Sequence, residues 1–210
     1  MSRRDLHVGA IILAAGSASR YGALKQVIAI DGEPMVRRIA RNALAAELHP
    51  VVVVVGAQGD RVIDCLTNLD VVPVENVEWA TGMGSSLAEG VKTLLAHPLP
   101  LHSLMVLLAD QPSIRLDDLE NMLDAHAKAP QRILACGRQG TPTPPCIFPM
   151  AYAQELAALQ GPVGARALLQ RHASMVDAFD LPAALLDIDE PADYAAWETR
   201  QNRPPTAEDL

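Results

Sequence analysis

The sequence predicts an α/β domain built on a largely parallel sheet, and two observations carry that prediction. Short, wholly apolar runs at residues 8–13, Val51–Val55 and 104–109 lack polar alternation, as strands buried on both faces require. Between them lie stretches with the 3.6-residue apolar spacing of helices, so strand and helix alternate as in βαβ units. Ligands of such sheets bind outside the carboxyl ends of the strands. Gly16, Gly56, Asn76 and Asp110 each fall at such an end and are expected to face one cleft.

The first strand, residues 8–13, stops at Ala14-Ala15-Gly16, and a polar loop with Arg20, Gly22 and Lys25 follows. A short extended piece at 27–30 ends in the turn Asp31-Gly32, and Pro34 suits a first helical position. Met35, Val36, Ile39, Ala43 and Leu44 make an apolar stripe opposite Arg37, Arg38 and Arg41, which predicts a helix of about three turns. Five consecutive valines, Val51–Val55, favour strand by β-branching and by length. A short helix at 61–66 and a third strand at 71–74 come next. Leu87, Val91, Leu94 and Leu95 then fall at helical spacing, with Ser85 or a neighbour as the cap.

The fourth strand, residues 104–109, is closed by Asp110-Gln111-Pro112, and Leu116, Leu119 and Leu123 mark a helix. A fifth strand occupies 132–136. The Pro- and Gly-rich segment 137–149 breaks the rhythm before Cys146-Ile147-Phe148. Helical patterns resume at 151–159 and 162–172, strand patterns at 176–179 and 184–188, and a final helix at 191–200. One domain over residues 1–200 and a loose tail at 201–210 are expected.

Composition narrows the function classes. A net charge of −8 argues against a nucleic-acid binder, and no apolar run is long enough to span a membrane. Cys65, Cys136 and Cys146 are scattered and lack any C-x-x-C spacing, which suggests neither a disulfide framework nor a zinc site. With a charged start, MSRRDLH, that lacks a signal-type apolar region, the cytoplasm is the expected compartment. Residues 1–41 hold seven Lys/Arg against three Asp/Glu, whereas 180–210 hold two against eight.

The stretch Ile11 to Gln26, IILAAGSASRYGALKQ, has the chemistry of a phosphate loop. Gly16 and Gly22 allow close backbone approach, consecutive N–H groups form an anion nest, and Arg20 and Lys25 add positive charge. Five residues separate the two glycines and Ala23 follows, so neither the dinucleotide fingerprint nor the P-loop fits. Asp110, directly after an apolar strand, suits a Mg²⁺ site that takes one or two carboxylates plus water and phosphate oxygens. A cap before Pro112 is its competing structural role. Asp189 stands just before Pro191, and spacing alone leaves metal ligand and helix entry both open.

Leu13-Ala14-Ala15-Gly16, Arg20, Gly22 and Lys25 together resemble L-A-A-G-x-S-x-R-x-G-x-x-K, the signature loop of nucleotidyltransferases, although Ala18 replaces the usual Ser. Leu108 to Pro112 is similar to the metal-binding motif of the same proteins. Trp79 to Gly90 resembles W-x-x-G-M-x-x-S-L-x-x-G, Gly161 to Arg166 resembles G-x-x-G-A-R, and Asp187 to Tyr194 resembles D-I-D-x-P-x-D-Y. On these motifs the chain resembles the MobA-like NTP transferase family, nearest its molybdenum cofactor cytidylyltransferase branch. Thr141 to Phe148 departs from the usual G-H/N-P-x-x-F, at the segment expected to meet the acceptor.

The resemblance implies a single three-layer, Rossmann-like domain with a mostly parallel sheet, of the nucleotide-diphospho-sugar-transferase type. It implies transfer of CMP from CTP to a phosphorylated acceptor, molybdenum-bound molybdopterin, with release of pyrophosphate. Lys25, Arg20 and Asp110 are then catalytic: Lys25 beside the α-phosphate, Arg20 nearer the pyrophosphate. Leu13, Ala14, Ala15, Gly16, Arg20, Lys25, Asn76, Gly82, Ser85, Ser86 and Asp110 bind the nucleotide, and Asp110 and Asp189 hold Mg²⁺. An apo-molybdoenzyme or its chaperone is the implied recipient. Transfer to a sugar or alcohol phosphate, and a non-catalytic carrier of the same fold, are the alternatives.

Overall fold

The computed structural model describes residues 3–16, 24–138, 141–188, 192–195 and Trp197. Arg20, Gly22, Asp189 and the tail at 201–210 lie outside the described residues. The apolar runs become strands β1 (Val8–Ala14), β4 (Val51–Val55), β5 (Val72–Glu75) and β6 (Ser103–Leu108). A hairpin, β2 (Ala29–Ile30) with β3 (Glu33–Pro34), turns at Asp31 and Gly32, both at positive φ. Strands β7 (Ile133–Arg138), β8 (Thr141–Pro149) and β9 (Val176–Phe179) complete the set.

Seven strands form one sheet in the order β5-β4-β1-β6-β8-β7-β9. The pairs β1–β4, β1–β6, β4–β5 and β7–β9 are parallel, and only β8 runs against its neighbours. Helices α1 (Met35–Ala45), α2 (Gly59–Cys65) and α4 (Leu116–Lys128) bring Val36, Ile39, Val62, Leu119 and Met122 onto Ile12, Val53 and Leu107 of one face. Helices α3 (Met83–Leu95), α5 (Ala153–Ala157) and α6 (Arg166–Arg171) bring Leu87, Val91, Leu156 and Leu168 onto Ile11, Val54, Val106 and Phe148 of the other. Alternate residues of one strand thus feed opposite cores, and all five valines of β4 are buried. Each such side chain contributes about 1.5–3 kcal/mol by leaving water.

The arginine face of α1 finds partners. Arg41 makes a two-pronged pair with Glu33 at 3.0 and 3.1 Å, and Arg37 donates to the carbonyls of Cys65 and Thr67 at 2.9 Å. Helix α1 begins at Met35, with Pro34 one position earlier than expected, at the cap. A satellite cluster of Ile30, Met35, Ile188 and Trp197 ties the late chain to this corner. Residues 192–195 and Trp197 are helical, within the expected final helix.

Two expectations need correction. The segment 137–149 contains a central strand, β8, despite Pro142, Pro144, Pro145 and Pro149. Prolines cannot donate to a ladder, and Pro142 and Pro149 each pair on one side only, with Gly137 and Ser103. Only Cys146 to Pro149 pairs with β6; the pairing with β7 shifts register at Ala135/Cys136, which leaves Pro144 and Pro145 unpaired. Residues 184–188 form no strand: a 3-10 turn, Pro182–Leu185, starts at Pro182 and buries Ala184. The sheet edge there is already occupied by β9.

Candidate functional site

The carboxyl ends of β1 and β6 open into a cleft of about 460 Å³ lined by Leu13, Ala15, Gly16, Lys25, Gly82, Ser86 and Asp110, with Trp79, Met83 and Asp187 among its other walls. Parallel register brings these ends level: Leu13 pairs with Leu108, and the Ala109 amide donates to the Leu13 carbonyl at 3.2 Å. Asp110 therefore emerges beside Gly16, as the strand pattern predicts.

Lys25 returns from the loop into the 3-10 turn Lys25–Val27 and places Nζ 2.6 Å from Asp110 Oδ2. The two side chains are only 15% and 19% exposed, so the pair sits largely out of water. Gln26, buried, donates from Nε2 to the Gly16 carbonyl at 3.0 Å and so closes the mouth of the loop. Asp110 Oδ1 is buried and has no hydrogen-bond partner among the described residues. A buried carboxylate oxygen left bare is costly, and a hard cation is a partner that carboxylate oxygen suits. Asp187 adds a second carboxylate to the same cleft. These oxygens fit Mg²⁺ in kind. Among the described residues, no cluster of three or more His, Cys, Asp or Glu is placed to hold a metal.

Helix α3 opens at the far wall. Gly82, at φ 129° and ψ −180°, is its cap residue, and a Cβ there would strike Gly161 O at 2.5 Å and Pro162 Cα. The Gly84 amide donates to the same Gly161 carbonyl at 3.0 Å. The loop at 160–164 is thus seated on the helix entrance by close backbone contact. Ser85 does not cap α3: its hydroxyl lies 2.9 Å from Gly82 O and 3.1 Å from Glu78 O. Asn76 donates to Ser85 Oγ at 2.9 Å and Ser86 Oγ at 3.0 Å, and accepts from the Glu78 amide.

The structure therefore brings Leu13, Ala15, Gly16, Lys25, Gly82, Ser86 and Asp110 together. Asn76 and Ser85 line an adjoining cleft, where Asn76 holds Ser86 as well as Ser85 in place, while Ala14 turns into the core. Gly56 lies behind the wall, where a Cβ would come within 2.8 Å of Trp79 and Ala15 O. Sequence reasoning assigned no role to Gln26, Gln111 or Asp187. A glutamine beside a motif lysine and another beside a motif aspartate were the available signals. Thiol chemistry is excluded at two of the cysteines: burial pushes Cys136 up to about 12 and Cys146 well above its ordinary range, so both stay protonated.

Comparison with known proteins identifies the family and the fold. Residues 10–176 match the model of the MobA-like NTP transferase domain. The chain is 29% identical over 183 residues to nicotine blue oxidoreductase of Paenarthrobacter nicotinovorans, covering 82% of this chain and 86% of that protein. It is 27% identical over 203 residues to the purine catabolism protein PucB of Bacillus subtilis, covering 91% and 96%. The solved structure of Rv0371c from Mycobacterium tuberculosis superposes with a TM-score of 0.72 at 25% identity, covering 91% of this chain and 97% of that one. The chain belongs to the MobA-like NTP transferase domain family, and its fold is that of a nucleotidyltransferase.

Proposed function

We propose that the protein transfers CMP from CTP to a phosphorylated acceptor, molybdenum-bearing molybdopterin, and releases pyrophosphate. The Lys25–Asp110 pair at the mouth of the Gly16 loop carries this reading, because it sets a cation beside a carboxylate where a triphosphate would lie. An acceptor phosphate oxygen attacks the α-phosphorus in line, the bond to the bridging oxygen of the β-phosphate breaks, and its electrons leave with pyrophosphate. Lys25 Nζ neutralises charge on the α-phosphate, and Arg20, by its place in the motif, faces the leaving group. Mg²⁺, held by Asp110 with Asp189 as the expected second ligand, supplies charge neutralisation on the phosphate oxygens when bound.

Leu13, Ala15, Gly16, Gly82 and Ser86 form the nucleoside wall, with Asn76 steadying Ser86 and Ser85. Trp79 and Met83 shield one side of that wall. Ala15 and the Gly82-Met83-x-x-Ser86 loop support cytosine, since both resemble the cytidylyl branch. Delivery of the product to an apo-molybdoenzyme or its chaperone belongs to the same proposal.

CTP and GTP competing for one pool of molybdopterin acceptor test the base, read as the nucleotide in the dinucleotide product. CMP incorporation in large excess is expected, because a site built to pair one base edge leaves its own groups unpaired with another. Equal incorporation refutes the base assignment. Pyrophosphate release only with a sugar or alcohol phosphate refutes the acceptor, and no release with any NTP favours a carrier.

A further inference from the structure

Gln111 is almost wholly buried at 1% exposure, yet it belongs to no helix or strand. Its Nε2 lies 3.0 Å from Ala184 O, 3.0 Å from Asp187 Oδ1 and 3.3 Å from Pro144 O. Three acceptors around one atom identify that atom as the nitrogen, because the carbonyl end would face three other oxygens. The Oε1 atom is buried with no partner among the described residues. An apolar side chain would avoid that unpaired oxygen, so the amide is explained by what its nitrogen holds.

What it holds is a piece of late chain with no ladder of its own. After the turn Pro182–Leu185 the backbone through residue 188 has no regular structure. Two links pin it to the strand-end acid: the Gln111 amide on Ala184 and Asp187, and the Ile188 amide on the Asp110 carbonyl at 3.0 Å. Asp187 thereby shares the cleft with Asp110, and residue 189 follows directly in sequence. An N–H donor on the Asp187 carboxylate also eases the gathering of acids in one cleft.

We propose that Gln111 is the positioning residue of the cleft's acidic end, registering residues 184–188 on Asp110 and so setting the affinity for a divalent cation. This rests on the metal role given to Asp110 above. The test uses Mn²⁺, a paramagnetic hard cation, titrated into the full chain without nucleotide and read by electron paramagnetic resonance. Amide exchange at Ile188 is followed in parallel. Gln111→Met keeps the bulk and removes the donor. Ser103→Ala is the control, since it cuts the buried hydrogen bond to His126 at the amino end of β6, away from the cleft.

Gln111→Met is expected to weaken Mn²⁺ binding about 10- to 100-fold, the range for partners that orient metal-bound groups, and to speed exchange at Ile188. Ser103→Ala is expected to change neither, which separates positioning from general loss of stability. If Gln111→Met does not fold, Gln111→Asn, whose nitrogen is drawn back by one methylene, replaces it with the same expectation. Wild-type Mn²⁺ affinity in either folded variant overturns the inference. Absence of Mn²⁺ binding by the unmodified protein, with Ile188 still protected, overturns instead the metal role of Asp110, and this inference with it.

Discussion

Replacing Gly82 by Ala is expected to be among the most damaging one-methyl changes in the cleft wall. At φ 129° and ψ −180° the backbone lies where only glycine is comfortable, a strain of about 1–3 kcal/mol for any other residue. The new Cβ also meets Gly161 O at 2.5 Å and Pro162 Cα, both main-chain atoms with no rotamer to yield. Forcing them apart costs about 1–3 kcal/mol more, the usual scale of overpacking. Together these give roughly 4 kcal/mol, and at about 2–4 °C per kcal/mol for a domain of this size the melting temperature falls by roughly 8–16 °C. Two companions calibrate the result. Gly161→Ala, at φ 71° in open space, carries strain alone and is expected to cost about 1 kcal/mol. Gly137→Ala, with open space and ordinary φ, is expected to lose nothing. Urea and thermal melts of the three variants are the assay. A Gly82→Ala protein melting within about 2 °C of the parent refutes the packing of the 160–164 loop on the entrance of α3.

Lys25→Ala is expected to lower turnover by roughly 10²–10³-fold at saturating nucleotide, the effect of losing one charge contact to a transition state. Near-parental turnover removes Lys25 from the mechanism. His126 predicts an acid weakness: burial depresses it to about 4 from an ordinary 6.5, with Ser103 Oγ 2.8 Å from Nε2. The unfolded chain takes up this proton first, so the contribution of neutral His126 is complete above pH 6.5 and is lost as pH falls toward 4. The loss reaches about 3 kcal/mol. Urea melts from pH 7 to 4.5 are expected to show this slope in the parent and not in His126→Leu; equal slopes refute it.

Much of the layout was legible because it rests on periodicity. The valine run Val51–Val55 admits one reading, and so does the stripe of α1, since burial on two faces or on one leaves distinct spacing. The meeting of Gly16 and Asp110 in one cleft was legible because strand ends determine where they emerge. Strand β8 was hidden because its prolines argue against a ladder that only part of it joins. Gln111 and Gln26 were hidden for another reason: apart from Asp187, their partners are backbone carbonyls brought close by folding, and carbonyls have no signature in a sequence.

The reversed strand β8 also has a consequence for the birth of the chain. The first half of the sheet, β5-β4-β1-β6, is complete once residue 108 has been made, but the outer side of β6 awaits Cys146 to Pro149. Until then Leu104, Met105 and Val106, all buried in the finished protein, border an unpaired edge. Such an edge templates pairing with any passing strand, and domains emerge from the ribosome gradually. The hairpin of β7 and β8 closes that edge as it forms. Chains released after truncation between residues 110 and 140 therefore keep that edge open, and they are the ones a chaperone must shelter.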